Sequence, residues 1–382
     1  MKLAAILPKI MKNYLLFVTC IFTNLLIGQQ SIIILNPIDS LLTQNAKREL
    51  SLQIAEKDMV FLGESEHHIG SDFSAKTEFV KFLVLEHGYK NIAFEGDFFA
   101  LYNTNDKNYL FPFWSKSKQC EALFNFLAEQ KVTIWGFDNQ FSMGYSFVNF
   151  SPKLFSFLND NSILYEKKFK DFVDVVCKRG PEFNKELSKN DTKYLVEKIN
   201  LILEADSVKK NISWYQFLKS FKSLIIQYNL PKSKGYEIRD IQMANNLNYL
   251  AKKLDNQKII VWAANAHISK MNEEFMEGKI MGAKFLEQTN RKTFHIAFAP
   301  IKMSYRKTSF IATQVKQKNN LLHLLPGTAG NSIIFSSLIS NEHPELKTTK
   351  LVGMFGMGKT EFNYFKHFDV LVFIGNGEIV SY

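Results

Sequence analysis

Six short apolar runs, each set among polar or helix-patterned residues, constrain this chain more than any other feature. Residues 59–62, 91–94, 132–135, 258–262, 293–298 and 368–374 are rich in valine, isoleucine and phenylalanine and mostly do not alternate with polar residues. A strand with one wet face alternates, whereas a strand covered on both faces does not. Between these runs lie segments with apolar residues at helical spacing: 73–87, with Phe79, Phe82, Leu83 and Leu85, then 121–130 and 241–254. Strand–helix alternation of this kind predicts an α/β fold with a mainly parallel central sheet flanked by helices.

The stretch from about 151 to 234 breaks the rhythm. It is lysine-rich, helix-patterned and without a convincing strand, and is expected to form a helical insertion capping the carboxyl-end cleft of the sheet. Residues 302–350 show few periodic segments. With no internal repeat and no Pro- or Gly-rich linker, residues 29–382 are expected to form one domain. An apolar content of 46% with 22% charged residues excludes general disorder, and 35 phenylalanines predict a large aromatic core.

Residues 1–28 read differently. Lys2, Lys9 and Lys12 precede the apolar run YLLFVTCIFTNLLI, which ends before Gly28. A basic start, an apolar stretch and a small residue fit a secretory signal peptide, and the run is shorter than the roughly 20 residues of a membrane-spanning helix. The mature chain is therefore expected to be secreted or periplasmic, with no integral membrane span. Loss of the three lysines lowers the net charge from +10 to +7. With no arginine-rich tract, zinc-finger spacing or aromatic RNA-binding signature, that charge gives no case for nucleic acid. Cys120 and Cys177 remain, enough for one disulfide and not for a framework.

Ligands of parallel α/β sheets bind beyond the carboxyl ends of the strands, and here those ends are chemically loaded. MVFLGESEHH delivers Glu64, Glu66, His67 and His68; NIAFEGD delivers Glu95 and Asp97; VTIWGFDNQ delivers Asp138 and Gln140; KIIVWAANAH delivers Asn265 and His267. Any one of these alone reads as a helix cap or turn residue. Four successive strands so equipped predict a shared polar cleft. A histidine beside a carboxylate can act as a general base toward water. There is no GxSxG elbow and no HExxH helix. His67, His267, Glu64 and Glu95 are chemically able to bind a metal, but nothing in the sequence requires one, so no metal and no cofactor are assigned. GMFGMGKT (353–360) satisfies the phosphate-cradling pattern GxxxxGK[ST]. Only 22 residues follow Thr360, too few to complete a nucleotide-binding domain, and the run is read as a glycine-rich surface loop.

The run LGESEHHIGSDFSAKTEFVKFLVLEHGYKNIAFEGD resembles the erythromycin esterase family, with its GExxHG motif, a helix, a Gly-Tyr turn and a strand ending in glutamate. The resemblance continues in order through WGFDNQ, RDIQMANNLNYL, VWAANAH, MGAKFLEQ and HFDVLVFI, covering most of the chain. Together with the signal segment, it implies a secreted, monomer-sized hydrolase; the resemblance itself implies cleavage of a small-molecule ester or lactone, macrolide lactones being the family's named substrates. A histidine would activate water without an essential metal. By position, Glu64 and His67 match the Glu and His of GExxH, with His67 the candidate base. Glu95 matches the strand-ending glutamate, and His267 matches the last histidine of an HNxH motif. The remaining substrate-facing candidates are His68, Asp138, Lys76 and Arg239.

Three positions depart from the family pattern. Ala264 stands where the first histidine of HNxH is expected, His68 replaces the glycine after GExxH, and Lys76 replaces an arginine, losing its planar fork. These changes fall on the substrate-facing end and leave two alternatives open: a catalytically idle ligand-binding member of the fold, or a metal-dependent hydrolase. Whether His68 fills the space left at Ala264 bears on the first. His87, His295, His323, His343 and His367 are expected in surface or satisfied interior roles. Arg239 and Asp240 read equally well as a cleft network or a helix-start ion pair.

Overall fold

A computed structural model describes residues 30–142, 144–272, 279–305, 308–309, 319–326, 330–354 and 361–382. The expected signal segment 1–28 and most of GMFGMGKT lie outside these residues.

Eight strands form one sheet: β1 (Ile32–Ile34), β2 (Met59–Glu64), β3 (Asn91–Asp97), β4 (Thr133–Asp138), β5 (Ile259–Ala264), β6 (Thr293–Lys302), β7 (Ser332–Phe335) and β8 (Val370–Asn376). Their order is β1-β7-β8-β6-β2-β5-β3-β4. The six strands from β8 to β4 are parallel neighbours, while β7 runs antiparallel to both β8 and β1. Every apolar run predicted as a strand is one. β1 and β7 were not anticipated; they are the short runs III and SIIF, too brief to show a period.

Alternate residues of each strand enter separate cores. Met59 and Phe61 of β2, with Val261 and Ala263 of β5, face one side; Val60 and Leu62, with Ile260 and Trp262, face the other. The second side is covered by α1 (Gln44–Ile54) and α2 (Gly70–His87), through Leu50, Phe73 and Phe79. The first is covered by α3 (Phe98–Thr104) and, beyond it, a set of longer helices. α4 (Lys118–Glu129) joins α1 and α2 through Leu123 and Phe124. Cys120 belongs to the second core and Cys177 to the first, so the sheet separates them; both are free thiols.

Between β4 and β5 the chain runs through α5 (Gly144–Asp160), α6 (Lys167–Arg179), α7 (Lys189–Glu204), α8 (Ile212–Asn229) and α9 (Lys232–Lys253). This helical stretch begins at Gly144 rather than 151, and α9 begins nine residues before the predicted 241. Gly235 does not interrupt α9, because α8 packs there: a Cβ at Gly235 would meet the Gln227 carbonyl oxygen at 2.7 Å. Arg239 and Asp240 therefore sit inside a helix, and the helix-start ion pair is not what they form. Among the described residues no helix is long and apolar enough to cross a membrane.

The strand order sets β2, β5, β3 and β4 side by side, so the four loaded carboxyl ends meet at one edge. Glu64 is in register with Ala264, and Asp97 with Asp138. A register shift lies between Phe94 and Asp97, the interval that holds Glu95 and Gly96; irregularities of this kind re-aim side chains beside sites. Gly136 of β4 allows the close approach here, since a Cβ would lie 2.6 Å from the Gly96 carbonyl oxygen and 2.7 Å from that of Asp97. Both neighbours are backbone and cannot rotate away. Gly136→Ala is expected to cost about 1–3 kcal/mol, read as a lower urea midpoint with an unchanged m-value.

Candidate active site

β2 ends at Glu64, and the tight turn to α2 carries His67. Asp72, in the first turn of α2, accepts hydrogen bonds from the Ser65 amide at 2.8 Å and from the Ser65 hydroxyl, which ties the turn to the helix. Burial pushes the Asp72 carboxyl up to about 7, against the bonds from Ser65. His67 Nδ1 lies 3.0 Å from Glu64 Oε1, and its Nε2 lies 3.7 Å from Glu95 Oε1. A carboxylate only accepts, so the Glu64 contact makes Nδ1 the donor and leaves Nε2 with the lone pair. The ring stacks on Phe113, with centroids 5.1 Å apart, and meets Trp114 edge-on at 5.7 Å. His67 is 34% exposed, whereas Glu64 and Glu95 are buried.

Beneath this pair lies Lys76. Its ammonium donates to Glu64 Oε2, stands 3.8 Å from the centroid of the Trp262 ring and approaches the Ala263 carbonyl oxygen at 3.4 Å. α2 supplies this lysine because positions 72, 76, 79 and 80 share its inward face, at spacings of three and four residues. Burial lowers the Lys76 pKa from its ordinary value, and the charge of Glu64 opposes that shift.

The other half of the site comes from β3, β4, α9 and the helical turn Asn265–Ile268 after β5. Arg239 holds Asp138 through two bonds, Nε at 3.1 Å and a terminal nitrogen at 2.7 Å; the same terminal nitrogen bonds Glu95 Oε1 at 2.7 Å. The Ala264 amide donates to Glu95 Oε2 at 3.1 Å. His267 Nδ1 lies 2.9 Å from Asp240 Oδ1, and its Nε2 lies 3.3 Å from Glu95 Oε1. Burial works against the His267 imidazolium, but Asp240 and then Glu95 outweigh it and raise its pKa to about 10. Burial likewise opposes the Glu95 carboxylate, yet His267, His67 and Arg239 hold it well below the usual range. For His67, burial again lowers the pKa, and Glu95 with the Glu64 hydrogen bond carries it above its ordinary value.

Among the described residues, no group of three or more His, Cys, Asp or Glu side chains is arranged to hold a metal ion. Each carboxylate of this cluster instead faces a cation: Glu64 faces Lys76, Asp138 and Glu95 face Arg239, and Asp240 faces His267.

The erythromycin esterase family model matches residues 84–320, well over half of the chain. The chain belongs to the erythromycin esterase family. It is 26% identical over 302 residues to the Bacillus subtilis (strain 168) protein named "Putative hydrolase YbfO", covering 65% of this chain and 66%, just under two thirds, of that protein. Three solved structures share the fold. A succinoglycan biosynthesis protein has a TM-score of 0.74 at 16% identity, over 92% of this chain and 96% of that one. A histidine-to-asparagine mutant of the erythromycin esterase EreC, in its open conformation, scores 0.72 at 12% identity, over 91% and 98%. A Bacillus cereus protein scores 0.71 at 19% identity, over 89% and 93%.

Within this family fold, the sequence-predicted residues fall into two groups. His67, Glu64, Glu95, His267, Asp138 and Arg239 converge in one network. Lys76, expected to face substrate, is fully buried under Glu64 and acts as its counter-ion. His68 is exposed with its ring edge-on to Phe113, 5.3 Å away, and neither ring contact nor hydrogen bond takes it to the space beside Ala264. Asp240, read from sequence either as part of a cleft network with Arg239 or as a helix-start ion pair, takes the network role through His267. Phe113 and Trp114 gave no signal, because an aromatic pair in FPFW reads as core. His295 is buried, bonded to the Ile268 carbonyl and stacked on Phe61, with burial pushing its pKa down to about 3. It is a satisfied interior histidine, as expected.

Lys76→Met would leave the Glu64 carboxylate buried without its cation, a change that costs about 3–5 kcal/mol in comparable pairs. Replacing both partners, as Glu64→Leu with Lys76→Met, should recover most of that loss in equilibrium denaturation.

Proposed function

We propose that this protein is a secreted hydrolase that cleaves a small-molecule ester or lactone with water activated by His67. The observation that carries the reading is the division of labour around that ring. Nδ1 is committed to a buried carboxylate, while Nε2 carries the lone pair on a partly exposed edge. Glu64 fixes the tautomer, and Glu95, close to Nε2 without a hydrogen bond at 3.7 Å, stabilises the imidazolium that forms when water gives up its proton. That proton then returns from Nε2 to the departing alkoxide.

His267 supports the electrophilic half of the reaction. With its pKa raised to about 10 it remains an imidazolium at neutral pH; its N–H groups are engaged by Asp240 and Glu95, so it is its positive charge that offsets charge developing on a carbonyl oxygen. The Ala264 amide is not available for that task, because Glu95 already takes its hydrogen. By the family resemblance an imidazole is expected at position 264, where this chain has alanine, so the substrate-facing side would lack that group. This favours a substrate other than a macrolide while keeping the water-activating half intact.

A raised His67 pKa has a definite sign. Below it the ring is protonated and cannot accept a proton, so kcat/KM should rise with pH along a limb whose midpoint lies above 6.5, the ordinary histidine value. Loss of the His267 proton should bring it down again near pH 10. On a panel of aryl and alkyl esters plus a macrolide lactone, His67→Ala is expected to lower turnover by about 10²–10⁴-fold, and a chelator should leave it unchanged. A folded sample that hydrolyses none of these esters would sink the reading, and turnover lost to chelator and restored by zinc or manganese would replace it with metal-dependent hydrolysis.

A further inference from the structure

We infer that the segment after β8, residues 377–382, is a strap that positions the His67 turn. It begins where Gly377 donates to the Lys302 carbonyl at 2.6 Å, leaving the end of β6. It then crosses the β2–α2 turn and bonds to its backbone almost residue by residue. The Glu378 carbonyl accepts from the amides of Gly70, at 2.8 Å, and Ser71, at 3.3 Å, at the start of α2. Ile379 pairs with Ile69 as an antiparallel bridge. The Val380 amide donates to the His68 carbonyl at 3.0 Å, one residue from His67. The strap finishes on α4, where the Ser381 carbonyl accepts from the Lys118 amide at 2.8 Å and the Ser381 amide donates to Gln119 Oε1 at 3.0 Å.

Two elements that touch the His67 ring are joined in this way. One is the turn that carries it. The other is the aromatic turn holding Phe113 and Trp114, which leads directly into α4. Gly70 shows how closely the strap is seated: a Cβ there would lie 3.0 Å from the Ile379 carbonyl oxygen and 2.8 Å from the Gln119 side chain. The strap buries little of its own surface, with Ile379 55% and Tyr382 65% exposed. Backbone hydrogen bonds with so little apolar burial contribute little to global stability, whereas they fix the path of the turn. The strap residues are thus positioning residues for His67.

The test separates backbone from side chain. Val380→Pro removes the amide that holds the His68 carbonyl, Val380→Ala keeps it, and Gly70→Ala presses the strap away from the other side. The first readout is the His67 imidazole titration followed by NMR in the full chain; it needs no substrate and so stands apart from the hydrolase reading. Val380→Pro and Gly70→Ala should move the His67 midpoint toward 6.5, the ordinary value, as the ring loosens from Glu64 and Glu95, while Val380→Ala and Ile379→Ala titrate like the parent. The second readout rests on the hydrolase reading: with a p-nitrophenyl ester, kcat should fall about tenfold to 10²-fold in the two disruptive variants, with KM less affected. An unchanged His67 titration in both, each with its thermal midpoint checked, overturns the strap. Absence of turnover in the parent protein fails the hydrolase reading and leaves the titration to decide the strap. If Val380→Pro does not fold, Gly70→Ala carries the comparison alone.

Discussion

A buried ion pair, Glu64 with Lys76, is what the rest of the site is built upon. Pairs of this kind add little net stability, because removing two charges from water costs about as much as their attraction returns. What the pair provides is a carboxylate fixed in place. One oxygen is held from below by the ammonium, itself seated over Trp262, and the other is left for His67. A carboxylate so held cannot swing toward solvent, and the imidazole bonded to it keeps one tautomer and one direction. A lysine serves here because Lys76 meets the carboxylate at one oxygen, which calls for a point charge rather than a fork across two.

Above that foundation the charges nearly cancel. Four carboxyl groups, Glu64, Glu95, Asp138 and Asp240, meet three cations, Lys76, Arg239 and His267, and the proton of His67 would be the fourth positive charge. A cluster balanced with that proton present, and one negative charge in excess without it, holds the proton more firmly than an isolated histidine would. Helix α9 supplies two of these charges from consecutive residues. Arg239 reaches β3 and β4, and Asp240 reaches the turn after β5, so one helix locks both sides of the cleft.

The parallel sheet and the edge where its chemistry gathers were legible because both-face burial writes uninterrupted apolar runs, and because strand ends carry their polar residues within a few positions. β1 and β7 were not legible: three- and four-residue strands at an antiparallel edge are too short to declare a pattern. The start of α9 was hidden by Gly235, whose missing side chain serves packing against α8 rather than a break. For the site, sequence could find residues that carry charge at strand ends, but not which way they face. Lys76 was expected to face substrate and is instead buried, since nothing local says that Glu64 and Trp262 close around it. Phe113 and Trp114 were lost among 35 phenylalanines and four tryptophans whose spacing speaks only of burial.

The two described cysteines lie on opposite sides of the sheet, each in its own apolar core, and burial pushes both thiols up to about 12. Neither is reactive while its core is shut, and neither can reach the other without the sheet coming apart. The molecule therefore contains two independent clocks. Alkylation of Cys120 would count openings of the layer formed by α1, α2 and α4, and alkylation of Cys177 those of the helical layer across the sheet. Their ratio would say whether the two halves of this fold breathe together or apart.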